Sequence, residues 1–332
     1  MRSFLLLLVA TAPAVAREIP IRALLVCGGC CHDYPKQSLI LRDGIQARAN
    51  VQVDVVRSED NGTKPWFPMY ENKDWAKGYD VIIHDECAAG ITEVPYVQNI
   101  VDAHKNGVPA VNLHCAMHCY RTGTDLWFQY IGIQSSGHGP QKPIAIDFSA
   151  ASNPITEGMA NWTTIGEELY NNVKVFDTAK PLALGNQDQG DGKMESSVVA
   201  WTNDYHGTRI FNTTLGHNNE TVADDRYMKL VVRGLLWSCN KLDAKYLEPY
   251  AGPAGRIEII PPGGPKVEPP KHATPVEVTA SSTQDDNKPA KAIDGSKDSR
   301  WCAENGTFPQ WLQLDFGEAR RSEEHTSELQ SR

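Results

Sequence analysis

Two histidines and two cysteines lie within a six-residue stretch in the middle of the chain, directly after an apolar segment. That segment, Val108–Leu113, is typical of a buried strand, and it is followed by His114, Cys115, His118 and Cys119. Imidazole and thiol groups serve as acids, bases, nucleophiles and metal ligands. In an open α/β sheet, ligands bind outside the carboxyl ends of the strands. The alternative is a structural turn, because free cysteine is among the most buried residue types.

Polar side chains also follow two earlier apolar segments, Ile21–Val26 and Asp80–Ile83. The residues after these segments include Gly28, Gly29, His32 and Asp33 in the first case and His84, Asp85 and Glu86 in the second. The glycine pair allows a tight turn and a close approach of a ligand to the backbone. Because three strand ends carry such clusters, we expect them to share one site. The alternative is that these are ordinary polar loops.

The elements that must position these residues alternate between strand and helix. Helices are predicted at 35–49, 92–105 and 226–239, and further strands at 51–56, 198–201 and 208–215, the last two forming a hairpin. Residues 131–140, which contain His138, are expected to form a flexible loop. This alternation is the signature of an α/β fold with a doubly wound, mostly parallel sheet.

The C-terminal part of the chain has a different composition. Residues 249–275 are rich in proline and glycine and are predicted to be an interdomain linker. Residues 276–320 show short alternating strands. They are expected to form only an incomplete β-sandwich, because a complete one needs roughly 100 residues.

Composition and charge exclude some classes of partner. The chain has 332 residues and a net charge of −9, which argues against non-specific nucleic-acid binding.

Residues 1–16 combine a basic start, an apolar run and a small-residue cleavage site, so they are predicted to be a signal peptide. No later stretch is apolar enough to span a membrane. We therefore expect a secreted or periplasmic protein, in which the eight cysteines can form disulfides.

Residues 20–248 resemble the ThuA-like family (trehalose utilisation). The matching motifs are LVCGGCCHD (25–33), HDEC (84–87), NLHCAMHCYR (112–121), SGHGP (136–140), EELY (167–170) and the block from VAW (199–201) to RIFNTTLGH (209–217). The resemblance implies a fold like that of class I glutamine amidotransferases. It also implies a role in the catabolism of trehalose or a related disaccharide, including oxidised 3-keto sugars.

Residues 274–319 resemble the first third of a discoidin (F5/8 type C) domain, through TASS (279–282), AIDG (292–295), RW (300–301) and QWLQLDFG (310–317). The resemblance implies binding to a cell-surface or polymeric glycan if the domain is complete. Residues 321–332 look like a translated sequencing adapter. We therefore expect the natural chain to continue beyond this point.

Acid–base chemistry on a carbohydrate is the function that we predict, by a hydrolase, lyase or isomerase reaction. The candidate catalytic residues are His114, Glu168, His217 and Cys115, and the candidate substrate-binding residues are Gly28, Gly29, His32, Asp33, His84, His138, Tyr170 and Trp201. Trp201 is a candidate stacking platform for a sugar ring and equally a candidate core residue. A divalent metal such as zinc is an additional hypothesis, with His32, His114 and His217 as its ligands.

Three alternatives remain open at this stage. The first alternative is a non-catalytic sugar-binding or scaffold protein. The second is an amidotransferase-like enzyme that uses Cys115 as its nucleophile. In the second case the glycines that should flank the nucleophile are replaced by Leu113 and Met117. The third alternative is redox chemistry at the pair Cys27 and Cys30, or a disulfide that either of them forms with another strand-end cysteine.

Overall fold

A computed structural model describes residues 18–148, 152–190, 192–263, 277–294, 296, 298–306 and 309–315. The predicted signal peptide and the segment 321–332 lie outside these residues. The chain divides into two compact units, Met1–Pro265 and Lys266–Arg332. Within the described residues, no helix combines the length and the apolar character that crossing a membrane requires.

The first unit contains twelve of the strands that the structure describes and five α-helices. The strands are β1 (Ile21–Gly29), β2 (Val51–Ser58), β3 (Val81–Cys87), β4 (Ala110–Leu113), β5 (Ile133–Gln134), β6 (His138–Asp147), β7 (Trp162–Tyr170), β8 (Lys174–Val175), β9 (Ala179–Asp188), β10 (Met194–Tyr205), β11 (Thr208–Thr213) and β12 (Ile257–Ile260). The helices are α1 (Tyr34–Gln46), α2 (Val94–Lys105), α3 (Leu126–Ile131), α4 (Asn219–Ala223) and α5 (Asp225–Ser238). Short 3-10 turns span Pro68–Glu71 and His114–His118.

Ten of these strands form one sheet in the order β12-β2-β1-β3-β4-β11-β10-β9-β6-β7. The pairs from β12 to β11 are parallel, which confirms the predicted doubly wound α/β fold. The pairs from β11 to β7 are antiparallel. Four successive antiparallel pairings return β7 to the direction of β11. The carboxyl end of β7 therefore lies at the same edge of the sheet as those of β1, β3 and β4.

Helices cover both faces of this sheet. Apolar residues of α1 and α5, such as Leu41, Ile45 and Leu235, pack in one core cluster, and residues of α2 and α3, such as Val97 and Phe128, pack in the other. Helix α1 begins after Asp33, whose carboxylate accepts a hydrogen bond from the Lys36 N–H at 3.3 Å. This cap ends the β1 loop and fixes the position of the residues immediately before it.

Several boundaries differ from the sequence prediction. Strands β1 and β3 continue to Gly29 and Cys87, several residues beyond their predicted ends, because the neighbouring parallel strands pair with them that far. The predicted loop 131–140 contains strand β5 and the first residues of β6, which pair with β8 and β7. Strand β12 lies within the predicted linker and pairs in parallel with β2. The register of these pairings is a tertiary property, which local composition does not show.

In the second unit, β13 (Glu277–Ala280) and β14 (Leu312–Asp315) form a two-stranded antiparallel sheet. A 3-10 turn spans Pro289–Ala292. This small separate sheet agrees with the predicted incomplete β-sandwich.

Candidate functional site

Three histidines from different strand ends meet at the carboxyl edge of the sheet. His32 follows β1, His114 follows β4, and His217 follows β11. One ligand-capable nitrogen from each ring lies within 4.8 Å of the other two. The ring centroids of His32 lie 4.7 Å from His114 and 4.9 Å from His217. The structure thus brings together the three residues that the sequence proposed as metal ligands.

The backbone around His114 is constrained in two places. His114 has a φ of 39°, which is uncommon for a residue with a side chain. Gly216, just before His217, has a φ of 123°, and a Cβ atom there would lie 2.8 Å from the hydroxyl oxygen of Tyr227. Strained backbone of this kind persists where the surrounding structure holds it, often at functional sites. His114 is the residue with left-handed backbone directly after β4, so this sharp turn directs the imidazole of His114 toward the site.

The Nδ1 atoms of two of the histidines are hydrogen-bonded to backbone carbonyls. Nδ1–H of His114 donates to the Thr214 carbonyl oxygen at 2.7 Å, and Nδ1–H of His32 donates to the His217 carbonyl oxygen at 3.3 Å. These bonds fix the tautomer, because a neutral imidazole carries one N–H and one lone pair. In the neutral rings the Nε2 lone pairs can therefore bind a metal ion or take up a proton, and once protonated the Nε2 atom of His114 donates to Glu168.

The carboxylate of Glu168 on β7 lies among these rings. Its Oε2 atom is 3.5 Å from His114 Nε2 and 3.6 Å from His138 Nε2, and its Oε1 atom is 3.4 Å from His217 Nδ1. The side-chain amide of Gln141 donates to Oε1 at 3.2 Å and lies 2.8 Å from His217 Nε2. Glu168 thus contacts three imidazoles and one amide.

Electrostatics separates the roles of these groups. Burial would raise the pKa of Glu168, but hydrogen bonds from His114 and His217, with the charge of these rings, lower it well below its usual range. Hydrogen bonding to Glu168 raises the pKa of His217, against the opposing effect of burial. Burial, with repulsion from His114 and His217, lowers the pKa of His32 to about 3. At neutral pH, Glu168 is therefore ionised and His32 is neutral.

An aromatic wall borders the carboxylate. The hydroxyl of Tyr170 lies 3.3 Å from His114 Nε2. The Tyr170 ring stacks on His118 with ring centroids 4.0 Å apart, and His138 stacks on Tyr170 at 5.6 Å. The His138 side chain is 40% exposed, whereas that of Glu168 is only 8% exposed. His138 therefore lies at the rim of the site and Glu168 in its interior.

Two residues near the site were not predicted from the sequence. The buried Glu167 accepts hydrogen bonds from the backbone N–H groups of His217 at 3.2 Å and Asn218 at 3.4 Å, so it positions the loop that carries His217. The other is Gln141. The sequence feature that could have identified Glu167 is its position next to Glu168, which places two adjacent carboxylates at the end of one strand. Gln141 carried no signal, because its contacts depend on the pairing of β6 with β7.

Other predicted site residues lie elsewhere or have structural partners. His84 is fully buried, and its Nδ1 and Nε2 atoms contact Glu86 at 2.8 Å and His104 at 3.1 Å. Trp201 is 1% exposed and donates from Nε1 to the Ile131 carbonyl oxygen, so its ring belongs to the core. Asp33 caps α1 and accepts a hydrogen bond from Asn219 at 3.0 Å.

The glycine pair has a structural explanation. A Cβ atom at Gly28 would lie 2.7 Å from the Ser58 carbonyl oxygen, and one at Gly29 would lie 2.4 Å from the Cys87 carbonyl oxygen. Both residues have positive φ values, 129° and 110°. Glycine is thus required at these positions by the close approach of β2 and β3.

The thiol of Cys115 is in an unfavourable setting for a nucleophile. It is buried and lies 2.6 Å from the Cys87 sulfur. Hydrogen bonding to Cys87 and burial both raise its pKa. An activated cysteine needs a lowered pKa or an adjacent base. The structure instead gives the imidazole of His114 the position that faces the carboxylate.

The three histidines fit a divalent metal ion of the zinc type. Three imidazoles are a common ligand set for catalytic zinc, with a further position left for water or substrate. Metal-ligating histidines usually donate their other N–H to a carbonyl or carboxylate, as His32 and His114 do here. His32, His114 and His217 would hold such an ion through one ring nitrogen each.

These observations define an α/β protein with a histidine and carboxylate site at the carboxyl edge of its sheet. The sequence profile of the ThuA family, described as trehalose utilisation, matches residues 22–238. The chain belongs to this family. A second profile, that of the F5/8 type C domain, matches residues 277–325.

Solved structures agree with this fold. A ThuA-like protein from Parabacteroides merdae has a TM-score of 0.55 and 17% sequence identity, and the match covers 71% of this chain and 97% of that one. A ThuA-like protein from Bacteroides uniformis has a TM-score of 0.52 and 14% identity, covering 69% of this chain and 95% of that one. A search of the curated proteins finds no match.

Proposed function

We propose that this protein is an exported enzyme that acts on a carbohydrate by acid–base chemistry at Glu168 and the histidines around it. The observation that carries this proposal is the position of the Glu168 carboxylate, within 3.6 Å of three imidazoles. Perturbed carboxylates and imidazoles that converge in this way are characteristic of catalytic sites.

Each of these groups has a distinct task in the proposal. Glu168, ionised over the physiological range, accepts a proton from a hydroxyl or an acidic C–H of the sugar. His217 keeps its proton to higher pH than an ordinary histidine; it donates this proton when no metal ion is bound, and it is a ligand when one is bound. His138, 40% exposed at the rim, orients the substrate, and the buried Tyr170 hydroxyl orients the ring of His114.

A divalent metal ion is part of the proposal. His32, His114 and His217 would hold it, since their nitrogens converge and two of them are already oriented by backbone carbonyls. When bound, such an ion polarises a substrate oxygen and lowers the pKa of a coordinated water.

The carbohydrate substrate and the export rest on the domain composition. The family is described by trehalose utilisation, which favours a disaccharide or its oxidised 3-keto form as substrate. The F5/8 type C match supports binding to a glycan and is typical of extracellular proteins. In this proposal the module raises the local concentration of substrate around the catalytic unit.

The test is a turnover screen of the full chain with trehalose, related disaccharides and their 3-keto derivatives, after metal analysis and with zinc, manganese or no metal added. The site variant is His114→Asn, because asparagine tolerates a left-handed backbone. The matched control is His206→Asn, at an exposed position that also has a positive φ. We expect turnover in the native and control proteins and its loss in His114→Asn. Saturable sugar binding without turnover under every metal condition would contradict the proposal and indicate a binding protein.

A further inference from the structure

Four cysteine sulfurs form a continuous series from the surface to the interior. Cys30 and Cys31 are joined by a disulfide, and Cys31 is exposed. The Cys30 sulfur lies 3.5 Å from the sulfur of Cys87, which in turn lies 2.6 Å from that of Cys115. Cys87 and Cys115 are free thiols that are 5% and 6% exposed.

The topology explains why these sulfurs meet. Gly29 of β1 pairs with Cys87 of β3, so Cys30 follows at the end of the same register. His84 of β3 pairs with Asn112 of β4, so Cys115, in the 3-10 turn directly after β4, lies beside Cys87 at the end of β3. Three adjacent parallel strand ends therefore deliver cysteines to one place.

We propose that Cys30, Cys31, Cys87 and Cys115 form a thiol–disulfide exchange chain, which transfers a disulfide from the exposed Cys30–Cys31 pair to the buried Cys87–Cys115 pair. The contact distances support direct transfer between neighbouring sulfurs, which is how disulfides exchange. Cys115 is the last sulfur in this exchange series, and it lies next to His114 in the sequence. A change in the surface redox state thereby reaches the residue adjacent to the candidate site.

The exchange balances without an external oxidant. In the first step the Cys87 sulfur attacks that of Cys30; a Cys30–Cys87 bond forms, the Cys30–Cys31 bond breaks, and Cys31 takes up the proton that Cys87 loses. In the second step the Cys115 sulfur attacks that of Cys87, forming a Cys87–Cys115 bond. The Cys30–Cys87 bond breaks, and Cys30 receives the proton from Cys115. One disulfide and two thiols are present before and after.

The test maps the disulfides of the folded full chain after equilibration in glutathione buffers, acid quenching and alkylation, using mass spectrometry of the peptides. We expect two species, one with the Cys30–Cys31 bond and one with the Cys87–Cys115 bond. The double variant Cys31→Ser/Cys115→Ser removes the first and last sulfurs of the exchange series. Oxidised glutathione should then trap the Cys30–Cys87 bond. The control Cys239→Ser, a half-buried thiol after α5, should leave the native pattern unchanged.

Two results would overturn the proposal. One is that Cys87 and Cys115 are alkylated as free thiols in every buffer, while the folded double variant, checked by its thermal melt, forms no Cys30–Cys87 bond. The other is that the four sulfurs hold a zinc or cuprous ion and become reactive only after chelation. Neither result depends on turnover, so this test is independent of the proposed sugar chemistry.

Discussion

The Nε2 atom of His114 lies 3.5 Å from the Oε2 atom of Glu168, while its Nδ1 atom donates to the Thr214 carbonyl oxygen at 2.7 Å. One nitrogen is therefore anchored by the backbone and the other faces the carboxylate. This arrangement fixes both the tautomer and the direction of the ring. It also makes Glu168 the residue whose charge the surrounding imidazoles stabilise most directly.

Replacement of Glu168 tests the acid–base role. Glu168→Gln keeps the shape of the side chain but removes the base, so we expect kcat to fall by roughly 10²–10⁴-fold. The melting temperature should fall as well, because the ionised carboxylate is stabilised by the imidazoles around it. The matched control is Glu157→Gln, at an exposed position. Steady-state kinetics and thermal melts of both variants decide the matter. Equal kcat values for the two variants would contradict a catalytic role for Glu168.

Metal binding should release protons in a way that depends on Glu168. Glu168 raises the pKa of His217, so this ring holds its proton to higher pH than an ordinary histidine, and it must lose that proton to bind a metal ion. Zinc titration by calorimetry in buffers of different ionisation enthalpy measures this proton release. We expect fewer protons released per ion by Glu168→Gln. Affinity should fall as pH drops below the raised pKa of His217. A zinc stoichiometry near zero in the native protein would remove the metal from the proposal.

Gly29 should tolerate alanine much less well than a glycine with similar backbone geometry. Gly29 and Gly107 have φ values of 110° and 103°, but only at Gly29 would a Cβ atom meet a neighbour, the Cys87 carbonyl oxygen at 2.4 Å. We expect Gly107→Ala to cost about 1 kcal/mol of unfolding free energy from backbone strain alone. Gly29→Ala should cost about 3 kcal/mol, because a steric clash is added. Urea denaturation compares the two, and equal losses would show that the clash is relieved.

Acid should destabilise the protein through His104, a fully buried histidine that is not one of the candidate catalytic residues. Burial and the neighbouring His84 lower its pKa to about 3 from a reference value of 6.5. Between these values the unfolded chain binds a proton that the folded protein does not, so stability is complete above pH 6.5 and decreases as pH falls. The expected loss from this group is about 2 kcal/mol at pH 5.

His104→Gln should therefore flatten the dependence of unfolding free energy on pH between 7 and 5, whatever its effect at pH 7. The comparison is His206→Gln, because His206 is exposed. Denaturant titrations at several pH values provide the slopes. If the slope were unchanged in His104→Gln, the buried ring would already be protonated in the folded protein.

The sequence by itself determined the alternation of strands and helices and the polar strand ends that follow from it. Apolar periodicity is a local property, so it placed β1 and β4 and the histidines after them, His32 and His114, without knowledge of the fold. It also placed His217 after a strand. Parallel strands share one edge for their carboxyl ends, so the convergence of these three histidines could be anticipated.

Only the tertiary structure decided which polar residues share the site. Strand β3 continues four residues beyond its predicted end, so His84 lies within the strand and, by the alternation of side chains, faces the layer of α2 and α3. Glu168 reaches His114 because successive antiparallel pairings bring β7 back to the same edge. Strand order and register arise from packing between distant segments, and no local pattern of residues encodes them.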